Sequence, residues 1–591
     1  MEEAMSEHSR HSKKQEKKVE TSETSLVTAT RRDLGLRLTS IACLVAFLLV
    51  LTIYLAGLNP MAGLLIDDAW YTLLGKALAT GQGYTLINSP SAGILPFYPP
   101  AWPMVLSLGF RLFPEFPENV YLLKAFSVAF ILGTGILSYF YFTRFRDLPR
   151  YLSLTISVAV TMSSEIYSSA VSTLMSECMF TFVAILTMVI TEYAADKWKA
   201  KTASAWIYTI AAGAAGALAF LTRSIAIAIV AAIVVWLLRE KLYQAALVFS
   251  ITVILMVAPW LTYARLHRPT PQQQQEQNSY IVYDYAAQFW GRKAGIMSEG
   301  VITVTELPGR VMDNLVSMTT LEAGGVIAAP IFSALTGDKV SGFSAGRVFA
   351  FLLSLLIITG LIQSARKSFG LTELVILFSV GVISLWGWSP FRFLLPLLPF
   401  WIFYLLRGCR ELYGVHEWLM DKRSPNAPWI FMTVVAGCLA LVGIYANVSF
   451  IRNHVHGSLS QDSAWKKSGR EITDIMQWMA EKLPSDAVIA TPNPALVYLH
   501  TGRRTVNLNE PEKNWENWKR LNVRYLAFVQ SQRRLPLPSA SEKQFATLYR
   551  VDGDLNLRIV DLGPPEGRLS WEIPSGSVPK IIDLNSNQQN K

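Results

Sequence analysis

Leu65-Ile66-Asp67-Asp68-Ala69-Trp70-Tyr71 comes shortly after an apolar run from Ile41 to Leu58. A run of that kind reads as a helix crossing a bilayer, which takes roughly twenty apolar residues. The acidic pair therefore stands where a membrane helix emerges, and carboxylates so near hydrocarbon are costly unless they face water, a partner or a substrate. Behind the pair, Trp70, Leu73, Leu74, Ala77 and Leu78 recur at helical spacing. Gly81-Gln82-Gly83 then ends that helix as glycine C-caps do. Tyr98-Pro99-Pro100-Ala101-Trp102-Pro103 follows, extended or turned at its prolines and carrying two aromatic side chains. An acidic pair thus opens a short amphipathic helix on a membrane face, and an aromatic-proline segment closes the loop. The plainer reading is that Asp67 or Asp68 N-caps the helix, a common task for Asp. It accounts for one carboxylate and leaves the other.

Outward from this loop the chain is apolar in blocks. With 51% hydrophobic and 16% charged residues over 591 positions, it is too apolar for an ordinary soluble enzyme. Eleven spans are expected, near 37–57, 119–142, 151–167, 177–194, 204–221, 225–239, 244–263, 346–365, 371–388, 392–407 and 427–447. Basic residues gather in alternate connections: Arg144, Arg146 and Arg150; Lys197, Lys199 and Lys201; Arg239 and Lys241; Arg366 and Lys367; Arg407, Arg410, Lys422 and Arg423. The short turns on the opposite side carry only Arg223 and Arg392. This bias puts the N-terminus in the cytoplasm and the Asp67-Asp68 loop outside. The odd count places the C-terminus outside as well. No internal repeat of the kind that builds transporters from inverted halves is visible.

Residues 1–33 are polar and aperiodic, a disordered cytoplasmic tail rather than a signal peptide. The bundle fills 34–450, with external loops 59–118 and 264–345. The second loop opens on Gln272 to Gln275 and carries Tyr280, Tyr283, Tyr285, Phe289 and Trp290, aromatics suited to a membrane surface or a groove. Composition turns soluble over 451–591, where Ile472–Leu483 and Ala495–His500 read as helices and Ala487–Ala490 and Tyr525–Val529 as strands. The fold class is an α-helical polytopic membrane protein with a small extracytoplasmic α/β domain.

The net charge of +10 follows the connections between spans rather than a basic face, so nucleic acid is not the partner. Cys43, Cys178, Cys409 and Cys438 all lie in apolar blocks with no metal or disulfide spacing. His454-x-His456 lacks a third ligand, and Gly81-x-Gly83 has no preceding strand and is no nucleotide loop. His500 and Arg503-Arg504 read as exposed charge or as contacts to an acceptor glycan.

The order Asp-Asp-x-x-Tyr, Gly-x-Gly-Tyr, Tyr-Pro-Pro-x-x-Pro resembles the first external loop of C-type glycosyltransferases. It is closest to the branch of bacterial protein O-mannosyltransferases and lipid A aminoarabinose transferases (glycosyltransferase family 39). The resemblance implies a polyprenyl-phosphate-linked sugar as donor substrate and no separate cofactor, with a divalent metal left open. It implies a lipid, glycan or protein acceptor, the plasma (inner) membrane as location, and transfer on its non-cytoplasmic face. Asp67 matches the first acidic position and is the candidate base; Asp68 is the alternative, and where relatives carry Asp-Glu its role is open. Adjacent carboxylates couple, so the two cannot be told apart by type. Tyr98 and Trp102 belong to the aromatic-proline segment and are expected at the substrate.

Three further residues fit the chemistry. Glu177, after Ser176, matches an acidic position of the second external loop; its plainer role is helix capping. Arg392, before Pro396 and Pro399, resembles a late-helix motif of the family, and an arginine binds phosphate bidentately while staying charged. Arg223 is the other lone cation. Both arginines also suit snorkelling to headgroups. The leading reading is an inverting membrane glycosyltransferase. The alternatives are a transporter or flippase of a lipid-linked glycan, a non-catalytic scaffold, and an O-antigen type polymerase or ligase.

Overall fold

The computed structural model describes residues 37–563 apart from 92, 94, 96, 97, 271, 272, 274–284, 293–299, 338–343, 420–425, 456–463, 509, 510, 530–545 and 552–556. The tail 1–33, Gln272, Gln274, Gln275, Tyr280, Tyr283 and His456 lie outside the described residues.

Eight helices among the described residues are long and apolar enough to cross a membrane: Arg37–Gly57, Val120–Phe145, Glu177–Lys199, Ala205–Thr222, Tyr243–Leu266, Ala345–Lys367, Phe391–Gly414 and Ala427–Asn453. The other three expected spans are shorter helices, Arg150–Thr161, Ser224–Arg239 and Leu371–Leu385. A helix of twelve residues rises about 18 Å, short of a hydrocarbon core of about 30 Å. All three pack into the bundle, through buried residues such as Ile156, Ile233 and Ile376. The eleven expected spans are thus eight long apolar helices and three shorter ones packed among them. The loop expected over 264–345 also holds a helical pair, Leu307–Ile327 and Ala329–Thr336, bent by 115°, which as one span would make nine. Arg310, Asp313, Asn314 and Glu322 interrupt its apolar run, which is why sequence hydropathy passes over it.

Side-chain contacts order the two ends of the bundle. At one end Tyr54 donates to the carbonyl of Thr161, Asn447 to that of Met162, and Lys124 to that of Asn59. At the other, Arg146 pairs with Glu192, Lys199 with Glu240, and Lys367 with Glu411. Helices Ala345–Lys367 and Phe391–Gly414 approach backbone to backbone. A Cβ on Gly360 would lie 2.0 Å from the Tyr404 carbonyl oxygen, and one on Gly408 2.0 Å from that of Leu356. Small residues at a membrane interface permit this approach.

The C-terminal region forms a five-stranded sheet in the order β2-β1-β3-β5-β4, with β1 Val488–Thr491, β2 Arg504–Asn507, β3 Val523–Phe528, β4 Ala546–Val551 and β5 Leu557–Asp561. β1 pairs in parallel with β2 and β3, through crossover helices Pro494–Thr501 and Pro511–Arg520, while β5 runs antiparallel to β3 and β4. Both expected strands and both expected helices are present, within a few residues. Arg504–Asn507, with no apolar alternation, escapes such a reading. This domain packs on the Asp67 loop. Asn88 donates to Thr505 Oγ1 at 3.0 Å, Arg504 to the carbonyl of Pro90 at 3.1 Å, and Phe116 meets the His500 ring edge-on at 4.9 Å. Loop and domain therefore share one end of the bundle.

Candidate active site

The loop entering the site is held in an unusual backbone. Helix Asp67–Ala79 begins without a side-chain cap, and the preceding Ile66 has φ 46°, ψ −63°. A β-branched residue at positive φ is an outlier. Such a conformation costs on the order of 1–3 kcal/mol and persists only where surrounding contacts fix it. Asp68 supplies two of those contacts, because its carboxylate accepts from the N–H of Gly63 and of Leu65, each at 2.9 Å. Asp68 is wholly buried. Burial pushes its carboxyl up from 3.8 to about 6, with the Gly63 and Leu65 bonds pulling the other way and the Asp67 charge adding to the rise. Neither candidate role as first read, capping or base, suits Asp68: it bonds the chain before the helix and has no open face.

Asp67 is the open member of the pair, with its side chain 35% exposed. One carboxylate oxygen accepts from the Tyr98 hydroxyl at 2.9 Å, and the other lies 3.4 Å from Arg392 Nη1. The Tyr98 ring in turn stands edge-on to Tyr71 at 5.0 Å. Burial pushes the Tyr71 hydroxyl up to about 12.

Glu177 and the two arginines complete the cluster. Glu177 opens helix Glu177–Lys199 with its side chain only 3% exposed. Its Oε1 receives Arg223 Nη1 at 2.8 Å, Arg392 Nη2 at 3.0 Å and Arg392 Nε at 3.2 Å. Arg223 is inward, 12% exposed, over the Phe393 ring at 5.5 Å, and reaches Ser176 Oγ at 3.3 Å. Arg392, 44% exposed, is the outer cation and spans from Glu177 to Asp67. A guanidinium has five donors, so Arg392 retains donor capacity toward the open side.

The structure thus brings together Asp67, Glu177, Arg223, Arg392 and Tyr98, and leaves Asp68 and Trp102 behind them. Trp102 is fully buried, with Nε1 donating to the Leu174 carbonyl at 2.7 Å. It ties the aromatic-proline segment to the stretch before Glu177 and has no surface for a substrate. Lys124 escaped the sequence reading. It is buried, and its ammonium donates to the carbonyls of Asn59 and Met61 and to Asn59 Oδ1 at 2.8, 2.6 and 3.0 Å. A lone lysine within Val120-Tyr121-Leu122-Leu123-Lys124-Ala125-Phe126 was signal enough, since ionisable residues in apolar spans are rarely idle. Among the described residues no group of three His, Cys, Asp or Glu side chains is placed to hold a metal ion. Chemically, the cluster offers a carboxylate open to solvent beside a cation whose other partner is buried.

Fold and site define a polytopic helical membrane protein with a charged cluster at one end of the bundle and an α/β domain packed on the loop that carries Asp67. No protein-family model matches the chain, and no curated protein matches it. Among solved structures it is similar to the oligosaccharyltransferase AglB of Archaeoglobus fulgidus, in complex with an inhibitory peptide and a dolichol-phosphate. That match has 14% identity over 82% of this chain and 69% of that one, with a TM-score of 0.49. It is also similar to ArnT from Cupriavidus metallidurans bound to undecaprenyl phosphate, at 12% identity over 88% and 97% of the two chains and a TM-score of 0.45. A third is the arabinofuranosyltransferase AftD from Mycobacteria, at 12% identity over 89% and 40%, with a TM-score of 0.38. The structures it is similar to thus include sugar transferases, the class to which the loop motif was matched. At TM-scores below 0.5 such likeness carries no argument about chemistry, which rests on the residues above.

Proposed function

We propose that the chain is an integral-membrane glycosyltransferase that moves a sugar from a polyprenyl-phosphate donor to a hydroxyl acceptor, with inversion. The observation that carries this reading is the placement of Arg392, which bridges buried Glu177 and open Asp67, the latter in the loop that bears the family-like motif. Asp67 takes the acceptor proton as the hydroxyl oxygen bonds to the anomeric carbon. The bond from that carbon to the phosphate oxygen breaks on the opposite side, and its electron pair leaves with the polyprenyl phosphate. General base assistance of this kind contributes roughly 10²–10⁴-fold. Arg392 meets the leaving phosphate through its free donors, while Glu177, itself paired with Arg223, holds it in place. The Asp67–Arg392 contact at 3.4 Å is long, so a phosphate competes readily for that guanidinium. An apolar groove lined by Phe47, Val50, Leu132, Ile136 and Val158 lies among helices Arg37–Gly57, Val120–Phe145 and Arg150–Thr161 and suits a hydrocarbon chain.

The charge bias of the connections favours the non-cytoplasmic face for this end. A transporter asks for ionisable residues along a midplane path; the clusters described here sit at the two ends. Glu177 and Glu192 lie fifteen residues, about 22 Å, apart on one helix. The test is transfer by the purified protein from a defined polyprenyl-phosphate sugar. Asp67→Asn is expected to lose transfer while keeping the wild-type melting temperature, and normal transfer by that variant would falsify the base assignment.

A further inference from the structure

The C-terminal sheet reverses its winding at β1. The chain passes from β1 to β2 on one side and then crosses to β3 on the other. In open α/β sheets the crevice beyond the carboxyl ends of the strands at such a switch point is where ligands bind. Here the residue at that position, Asn493, follows β1, caps helix Pro494–Thr501 and is wholly buried. What it binds is the membrane domain. Its Oδ1 accepts from the Leu496 N–H at 3.3 Å, while its Nδ2 donates to the Gly63 carbonyl at 2.7 Å. Gly63 has φ +84°, and a Cβ there would come within 2.6 Å of Leu496 Cδ1. Conformation and close approach both require glycine at this point.

We infer that Asn493 is a positioning residue for the candidate base, and that the α/β domain uses its switch-point crevice to clamp the catalytic loop instead of holding a substrate. The inference rests on the glycosyltransferase reading only where transfer is the readout. The chain of contacts is short. Asn493 fixes the Gly63 carbonyl, Asp68 fixes the Gly63 and Leu65 amides, and between Leu65 and Asp67 stands Ile66 in its positive-φ conformation. Releasing the Gly63 carbonyl removes one of the contacts that hold Ile66, and Asp67, the next residue, moves with it. A shift of about 1 Å in a reacting group can cost on the order of 100-fold in rate.

The experiment uses the full-length protein with Asn493→Asp. Asp caps a helix as well as Asn does, so Pro494–Thr501 keeps its cap, while the donor to Gly63 is replaced by an acceptor. The control is Asn88→Asp, which loses another donor between the same loop and the same domain, the one to Thr505 Oγ1. Asn493→Asp is expected to lower kcat about 10- to 100-fold, with the affinity for a polyprenyl-phosphate sugar within about twofold, and Asn88→Asp to leave kcat within about threefold. Lowering the pH should partly restore Asn493→Asp, because the protonated carboxyl regains a donor, and should not help Asn88→Asp to the same degree. Hydrogen exchange at the Gly63 and Leu65 amides gives a readout free of activity, faster in Asn493→Asp alone. Equal effects in the two variants, or unchanged exchange at those amides, would overturn the inference. Absence of transfer by the wild-type protein would instead sink the functional reading and leave the exchange comparison to decide the clamp. Should Asn493→Asp fail to fold, Asn493→Ser keeps a capping oxygen too short to reach Gly63 and is judged by the same two measurements.

Discussion

Arg392 and Glu177, 215 positions apart in the chain, meet with Nη2 3.0 Å from Oε1, and Arg223 reaches the same oxygen at 2.8 Å. One buried carboxylate therefore anchors two arginines of different exposure, and the outer one is left to serve a second anion. If that anion is the donor phosphate, Arg392→Gln is expected to weaken donor binding much more than acceptor binding. A charge-assisted contact is worth roughly 1.5–3 kcal/mol, or about 10- to 150-fold in affinity. Arg392→Lys should recover part of the loss, since an ammonium keeps the charge without the planar fork. Glu177 keeps Arg223 in both variants, so thermal stability should change little. Donor titration with melting curves beside it decides: unchanged affinity in Arg392→Gln would leave Arg392 a headgroup contact only.

Asp68→Asn is expected to behave unlike Asp67→Asn. An amide offers one acceptor and one donor where two N–H groups converge, leaving one of the Gly63 and Leu65 amides facing a donor. A buried group left unsatisfied costs about 1–3 kcal/mol. The melting temperature should fall, and transfer should fall with it. Asp68→Asn with wild-type stability would mean that the two N–H bonds are not what holds the loop.

How much of this was legible in the sequence follows from what each feature depends on. The long helices announce themselves by length and apolarity, properties of a contiguous stretch, and so do the positions of Glu177, Arg223 and Arg392 beside them. Which of Asp67 and Asp68 is open is not a local property. It depends on Asn493, 430 positions away from Gly63, and on a backbone turn at Ile66 that no residue type advertises. Trp102 shows the same limit from the other side. Its place in a motif-like segment marked it for substrate, whereas its burial and its bond to the Leu174 carbonyl come from the fold. The bent pair Leu307–Thr336 was missed because polar residues dilute its hydropathy, yet one of them, Glu322, is buried and bonded by Ser317 and Ser389.

The packing of the α/β domain on the Asp67 loop requires both on one face of the membrane. Gln82 and Glu516 are both exposed, one in the loop and one in the domain. With Cys43, Cys178, Cys409 and Cys438 replaced, single cysteines at these two positions should react alike with a membrane-impermeant thiol reagent. Cells, or spheroplasts where an outer membrane intervenes, are labelled intact and again after lysis. Labelling of both before lysis places this end outside, as the basic connections favour. Labelling of both only after lysis reverses the orientation, and labelling of one alone would contradict the packing.

His500 gives the docked domain a pH dependence with a definite sign. Its ring lies edge-on to Phe116 between the loop and helix Pro494–Thr501. Burial first, and the Lys76 charge second, lower it from 6.5 to about 4. A histidine depressed in the folded state is protonated first in the unfolded chain. Its contribution is therefore complete above about pH 6.5 and is lost as the pH falls from there toward 4. By pH 5 the loss relative to neutral pH is at most roughly 2 kcal/mol. Asp68 acts in the opposite sense over an overlapping window, since a raised carboxyl stabilises the fold as it takes up its proton. The two are separated by His500→Phe, which keeps an aromatic ring against Phe116 and cannot titrate. Melting curves between pH 7.5 and 5 are expected to fall more steeply for the wild type than for His500→Phe, with the difference opening below pH 6.5. Parallel curves would mean that the imidazole is hydrated and free to protonate in the folded protein.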